Sequence, residues 1–282
     1  MLRASIAGTV GATAVVPVFG ARSVKLGRGF DDDQQLQAAV GSGVDYFKAR
    51  CDDQIPTVKA LDAAIASGDV EAAKRAYIES RPPYEEIETI AGSFEDSDKD
   101  IDARPYAFGG GESDPEFRGF HKIENLVFAE EDLEAARPYS RGLIDSIVRL
   151  RSELDETERF SAEGQFGGMV ALTNEVAAKK VSSEEETWSD QTLLIFKHNW
   201  IGVHSQFKPF GVMLGSDRAM VQAVEAAHRD AMTTLKPHFK AGVVAAAPYS
   251  GVSIRERRAM ADASNRYRDA IIVVRDEIGI PG

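Results

Sequence analysis

The sequence of 282 residues contains one cysteine, Cys51. A single cysteine cannot form a disulfide within the chain, and it cannot build the multi-cysteine sites that hold structural zinc or iron–sulfur clusters. Any metal that this chain binds by itself must therefore be held by histidine nitrogens and by oxygen ligands. The chain has five histidines, so the candidate nitrogen ligands are few.

The chain also lacks an excess of positive charge. Lysine and arginine total 33 against 45 acidic residues, which gives a formal net charge of −12. No basic patch interleaved with aromatic residues occurs along the sequence, so nucleic acid is not expected as a partner. The composition, 43% hydrophobic and 28% charged, is that of an ordinary globular protein with one large domain or two small ones.

Acidic residues are absent from the first 30 positions, which carry four basic residues and an apolar stretch from Ile6 to Phe19. This composition predicts a targeting segment over residues 1–30, followed by the functional domain over residues 31–282. The apolar stretch is too short and too rich in glycine and threonine to indicate a membrane span, and no other stretch is long enough. We expect an exported protein, periplasmic or secreted. The alternatives are an organelle transit peptide and a disordered amino terminus.

Strand-like alternation of apolar and polar residues is missing from the body of the chain. Apolar residues recur instead at helical spacing, so the fold class is predicted to be all-α and built of helical bundles. Pro82 and Pro83 are expected to kink the second helix or to divide it into two shorter helices. Residues 91–116 are rich in Gly, Asp, Ser and Pro and predict a long irregular connection. The helices are expected at residues 35–65, 70–90, 132–154, 162–181, 184–207, 217–235 and 254–278.

One short motif carries candidate chemistry. His121 and Glu124 are three positions apart, so on a helix they share one face, and an imidazole beside a carboxylate is half of a metal site. An isolated pair of this kind is more often a solvated surface pair worth about 0.2–0.5 kcal/mol. The run at residues 125–128 is apolar, however, which places the helix at least partly in the interior, where an unpaired glutamate is rarely found.

Acidic residues upstream of this motif offer the other half of a site. Glu85 and Glu88 again lie three positions apart, and Asp102 follows in the connection before the His121 helix. Hard and borderline cations need several oxygen donors that converge on one point. We expect these three carboxylates to approach the His121–Glu124 pair. Each has an ordinary alternative as an exposed acidic residue, and two or three at most are expected to touch the metal.

Several segments in a fixed order resemble a known family. They are GDVEAAKRAY, RPPYEEIE, DSDKDIDAR and DPEFRGFHKIE within residues 68–124, with weaker similarity that includes EEETWSDQTLLIFKHNWIG at residues 184–202. Together they resemble the imelysin-like domain of EfeO-type iron-uptake proteins. The resemblance is to a short form that lacks the cupredoxin domain carried by many of these proteins.

The resemblance implies a fold and a function. The fold is a pair of pseudo-related four-helix bundles outside the cytoplasm. The function is to bind iron, as Fe(III) or Fe(II), and to pass it to a membrane permease. The residues that match the metal motif and the acidic positions of the family are His121, Glu124, Glu85, Glu88 and Asp102.

The types of donor do not select one metal. Zinc or copper could bind the same histidine and carboxylate groups, so both stay open beside iron. Arg104 and Arg118 are expected to orient carboxylates, because a guanidinium group only donates hydrogen bonds.

Three other functions remain open. Imelysin-like proteins have been grouped with peptidases, so a zinc metallopeptidase is the main alternative, although such enzymes usually place two histidines and a glutamate on one helix. A scaffold with a vestigial site is the second. A ferritin-like diiron centre is the third. It would need two Glu-x-x-His motifs, whereas this chain offers one motif in reverse order.

Overall fold

The computed structural model describes residues 30–183 and 185–282. Within these residues the regular structure is helical, apart from one isolated bridge between Phe239 and Ala246, and the predicted all-α class is confirmed. The predicted targeting segment, residues 1–30, lies outside the described residues except for its last position. None of the helices described here combines the length and the apolar character that crossing a bilayer requires.

The helices form two sets that follow one another along the chain and also contact each other. The first set comprises α1 (Phe30–Ser67), α2 (Val70–Ser80), α3 (Pro82–Ile87), α4 (Glu95–Asp102), α5 (Phe120–Glu124) and α6 (Leu133–Glu153). The second set comprises α7 (Ala162–Glu175), the single turn α8 (Val181–Ser183), α9 (Thr192–Leu214), α10 (Ala219–Leu235) and α11 (Ile254–Glu277). The division of the predicted second helix at the two prolines is confirmed, because α2 ends at Ser80 and α3 begins at Pro82.

α1 is the longest helix and organises the first set. It runs as one helix through two stretches of helical periodicity and includes Pro56. Val44, Phe47 and Val58 recur on its buried face, which packs against α2, α6 and α9. Cys51 is buried on the same helix, and burial raises the pKa of its thiol to about 12. The thiol is therefore neutral and unreactive at physiological pH.

In the second set, four helices contact one another in a ring. α7 packs on α9 and α11, and α10 packs on the same two helices. This is the contact pattern of a four-helix bundle. The first set is less regular, because α3, α4 and α5 are short. The resemblance-based expectation of two related four-helix bundles stays a prediction.

Two expectations about individual segments are wrong. Residues 91–116 were expected to be irregular, but they contain α4 and short 3-10 turns. α4 begins with three acidic residues, which stabilise a helix amino terminus, and it contains one apolar residue, Ile101, so it shows no apolar periodicity. The helix expected at residues 184–207 begins at Thr192 instead. The residues before it form turns in which Glu185 and Glu186 are buried.

Close backbone contacts join the two sets at glycines. A Cβ atom built on Gly168 in α7 would lie 1.8 Å from the carbonyl oxygen of Thr89. A Cβ atom on Gly202 in α9 would lie 2.3 Å from the carbonyl oxygen of Glu86. Side chains cannot be accommodated there without moving backbone, so α3 and the 3-10 turn Glu88–Ser93 lie directly on α7 and α9.

This contact gives a prediction with an adjacent control. We expect Gly168→Ala to lower the free energy of unfolding by about 1–3 kcal/mol, the usual cost of overpacking. Gly167→Ala, where nothing lies within 4 Å of the added Cβ, should raise it by about 0.8–1.0 kcal/mol, because alanine is the better helix former. Urea unfolding of both variants measures the difference. Equal stability of the two variants would show that α7 moves away from Thr89 without cost.

Candidate metal centre

The His121 helix is placed by a glycine. Gly119 has a φ of 80° and caps α5, and a Cβ atom at this position would lie 2.3 Å from the carbonyl oxygen of Ile101. The chain can therefore pass directly against the end of α4 before it turns into α5. α5 has five residues and continues as a π-helical turn, Asn125–Ala129. Both His121 and Glu124 face the interior and are at most 1% exposed.

The imidazole of His121 lies between two carboxylates. Its Nδ1 atom is 3.1 Å from Oε2 of Glu124, and its Nε2 atom is 3.6 Å from Oδ1 of Asp102. Nε2 has no hydrogen-bond partner within the described residues. Burial, followed by the charges of Arg104 and Arg81, holds the pKa of His121 well below its usual range. The ring is therefore neutral and presents one lone pair, on the nitrogen that its tautomer leaves free.

Glu124 is held by backbone as well as by His121. Its Oε1 atom accepts hydrogen bonds from the amides of Trp188 and Ser189, at 2.9 and 2.8 Å. Burial and then the charge of Glu186 raise the pKa of Glu124 well above its usual range, and the two amides oppose that shift. The turn before α9 thus fixes one oxygen of Glu124 and leaves the other beside the imidazole.

Glu186 completes the cluster, although the sequence analysis did not select it. Ligand atoms of His121, Glu124 and Glu186 all lie within 4.8 Å of one another, and all three residues are buried. Glu186 Oε2 accepts hydrogen bonds from Tyr77 Oη at 3.0 Å and Ser189 Oγ at 2.8 Å. The signal that could have found it is the segment EEETWSD, which belongs to the family-like pattern but lacks a histidine.

Arg81 supplies the positive charge at the centre of this region. Its guanidinium is buried and makes ion pairs of 2.6 Å with Glu85, 2.6 Å with Asp102 and 2.8 Å with Glu186. It also lies 4.4 Å from the ring centroid of Phe120. A guanidinium buried among three carboxylates fixes the positions of all three. From the sequence, Arg104 and Arg118 were expected to orient carboxylates.

Those two arginines orient other carboxylates. Arg104 pairs with Glu185, and Arg118 pairs with Asp100. Glu185 is adjacent in sequence to Glu186 of the cluster. Asp100 instead lies on the partly exposed side of α4, where it also pairs with Arg149 at 2.5 Å.

Glu85 and Glu88 lie outside the three-residue cluster. Their carboxylates are already paired with cationic and amide side chains of the protein. Glu88 Oε1 lies 2.7 Å from the ammonium of Lys180, which is itself fully buried. The amide of Asn199 donates to Glu85 Oε2 at 3.0 Å and to Glu88 Oε2 at 2.6 Å. Lys180 therefore occupies the position at which a cation would meet these two carboxylates.

The three-residue cluster has the dimensions of a metal site. Donor atoms that share one ion at about 2.1 Å lie roughly 3–4.2 Å apart, so small side-chain rotations would bring the three donors onto one ion. A metal-bound histidine usually donates its other ring N–H to a carboxylate. With a metal on Nδ1, the Nε2 proton of His121 would point to Asp102, which is already 3.6 Å away.

Comparison with known families agrees with the pattern in the sequence. The family model Peptidase_M75, described as Imelysin, matches residues 48–271. The chain belongs to the imelysin family. The matched range contains α2 to α10 and the greater part of α11. Both the His121 motif and the Glu186 turn therefore lie within the range that the family model matches.

Curated relatives of this imelysin protein include iron-uptake proteins. The chain is 35% identical over 164 residues to the "Iron uptake system component EfeO" of Escherichia coli strain K12, a match that covers 58% of this chain and 44% of the relative. The protein of the same name from Shigella flexneri matches to the same extent. The chain thus spans less than half the length of the curated relatives that it matches.

A solved structure supports the fold. The chain is similar to a crystal structure from Parabacteroides distasonis, described as a "putative iron-regulated protein A precursor", with a TM-score of 0.57. The match covers 88% of this chain and 94% of the other at 15% sequence identity. At that identity the likeness concerns the helical architecture alone.

Proposed function

We propose that this imelysin protein is a non-enzymatic iron-binding component of an iron-uptake system. In this proposal it works outside the cytoplasm, periplasmic or secreted, and passes iron to a membrane permease. The sequence similarity to proteins named as iron-uptake components supports this iron-binding role. The proposed ligands of the iron are His121, Glu124 and Glu186.

The observation that carries the proposal is the convergence of a neutral imidazole and two carboxylates in the interior. Buried carboxylates are costly unless a cation or hydrogen bonds compensate their charge. Arg81 compensates Glu186, whereas Glu124 accepts hydrogen bonds from two amides and lies beside the imidazole. A bound cation would compensate the negative charge of Glu124 and would be coordinated by the unprotonated ring nitrogen of His121.

The other expected ligands have supporting roles in this proposal. In this proposal Asp102, whose Oδ1 lies 3.6 Å from Nε2 of His121, faces the Nε2–H group and keeps the ring oriented. Glu85 and Glu88 hold Arg81 and Lys180, which fix the surrounding carboxylates. Mixed nitrogen and oxygen donors suit Fe(II) and Fe(III), and zinc or copper would also bind such a set. The cargo is therefore assigned as iron from the relatives and not from the donor types.

A titration of residues 31–282 with iron tests the proposal. We expect His121→Ala to abolish measurable high-affinity iron binding in titration calorimetry and to leave the helical circular dichroism unchanged. His238→Ala is the matched control, because His238 lies outside the cluster and its ion-pair neighbour is the exposed Glu256, at 3.7 Å. Iron binding of equal affinity and stoichiometry in the two variants would overturn the assignment of His121.

The family name gives the second candidate function, a zinc peptidase. A catalytic zinc site keeps one coordination position open to water and substrate, whereas the three proposed ligands are each at most 1% exposed. The proposal therefore predicts that the purified protein does not cleave casein. Cleavage that stops when a chelator is added, and returns with zinc, would replace the carrier role with a catalytic one.

A further inference from the structure

A cavity lined by none of the metal-cluster residues lies between α9, the carboxyl-terminal half of α10 and the segment that follows α10. It has a volume of about 570 Å³, within the usual size range of small-molecule sites. Four cationic residues line it, and we call it the basic pocket. They are Lys197, Arg229, Lys236 and Lys240.

The charge of the basic pocket is opposite to that of the protein. The chain carries a net charge of −12, yet no acidic residue lines this cavity. Within the described residues, no ion pair of 4.0 Å or less engages any of the four cationic side chains. Cations that converge without counter-ions repel one another, and an anion that enters between them is attracted by all four.

The floor of the basic pocket is apolar and ordered. Met232, Leu235 and Phe239 line it, and Leu235 is buried. Phe239 is held by the isolated bridge to Ala246. The ammonium of Lys197 lies 4.5 Å from the ring centroid of Phe239. A charged group above an aromatic ring and an apolar floor fits a ligand with an anionic head and an apolar body.

A histidine also lines this cavity. His228 is one of the lining residues, although its Nε2 atom is itself shielded from solvent and has no hydrogen-bond partner among the described residues. The imidazole is fixed in place, because it stacks on His204 at a centroid distance of 4.0 Å and an interplanar angle of 3°. His204 is held in turn by Glu225 at 3.0 Å. A buried polar atom left without a partner is uncommon in folded proteins.

We infer that the basic pocket binds a small organic anion, with a carboxylate or phosphate group on an apolar or aromatic body. The cationic side chains attract the anionic group, and Phe239 and its apolar neighbours contact the body. None of these residues belongs to the metal cluster, so this site does not depend on the proposed iron-binding function.

The test uses phenyl phosphate and inorganic phosphate as probes. We expect phenyl phosphate to bind the full chain in titration calorimetry with one site, and at least tenfold more tightly than inorganic phosphate, because only the former reaches the apolar floor. Higher salt should weaken both. The double variant Lys197→Gln, Lys236→Gln should weaken phenyl phosphate binding at least tenfold, while its thermal unfolding stays unchanged.

Lys59→Gln is the control, since it removes one positive charge from an exposed position of α1 remote from the pocket. It should leave phenyl phosphate binding unchanged. Binding that survives in the double variant, or that is absent from the unaltered chain at millimolar probe, would overturn the inference. Vesicles of phosphatidylglycerol form the third arm. Binding to vesicles, without binding of either soluble phosphate, would also overturn it, because the pocket would then recognise a membrane surface.

Discussion

Replacing Arg81 by leucine should lower the free energy of unfolding by about 3–5 kcal/mol, the cost of removing one partner from a buried ion pair. The guanidinium is fully buried and compensates Glu85, Asp102 and Glu186 at once. Leucine would fill part of the space and leave the three carboxylates without their cation. The loss is therefore expected at the upper end of the range for single substitutions.

Urea unfolding at neutral pH measures this loss, and a pH series identifies its cause. Burial already raises the pKa of Glu85 well above its usual range, and without Arg81 that pKa rises further. The folded variant then binds more protons than the unfolded chain, so its stability should recover as the pH falls. Arg137→Leu, which breaks only an exposed pair with Glu134, should change stability by less than about 0.5 kcal/mol. A loss for Arg81→Leu no larger than that of this control would contradict the central role given to Arg81.

Replacing Glu186 by glutamine should weaken iron binding by more than about 100-fold, because removal even of a residue that only orients a metal ligand costs about 10–100-fold. Glutamine keeps the size of the side chain and can still accept a hydrogen bond from Tyr77. It removes the negative charge and the carboxylate oxygen that face His121 and Glu124. The effect should therefore appear in affinity and not in the helical content of the protein.

Competition with a chelator of known affinity measures this change, and the neighbouring residue supplies the control. Glu185 is as deeply buried as Glu186 but pairs with Arg104 instead of facing the cluster. Glu185→Gln should keep iron affinity within a few fold of the unaltered protein. If the two glutamine variants bind iron equally well, Glu186 is not a ligand and the proposed set must be redrawn around His121, Glu124 and Asp102.

The fold was largely predictable because the large helices carry regular apolar faces. In α1, α6 and α11 one side is buried and the other is solvated, and this produces the spacing that sequence reasoning detects. α4 was not predicted, because a single apolar residue, Ile101, gives no helical periodicity of apolar residues. It is stabilised instead by acidic residues at its amino terminus and by packing of Ile101, which only the three-dimensional structure brings into contact with α6.

The candidate site was predictable in part, for a different reason. His121 and Glu124 share a helical face, so their proximity follows from local geometry alone. Glu186 reaches them through a turn located more than 60 residues later, and no local rule gives that contact. The same holds for Lys180, whose ammonium meets Glu88 across the contact between α3 and the second set of helices. Which carboxylates face an internal cation is decided by packing.

The backbone contacts at Gly168 and Gly202 have a mechanical consequence. They place the carbonyl oxygens of Thr89 and Glu86 directly against α7 and α9, and Asn199 donates a further hydrogen bond to the carbonyl oxygen of Glu85. Helices in direct backbone contact move as one rigid unit. The two sets of helices are therefore not expected to separate by a hinge motion. Exchange of a buried ion would then require local rearrangement, for example of the turn that carries Trp188 and Ser189. The rate of exchange would then be set by the protein's own opening frequency.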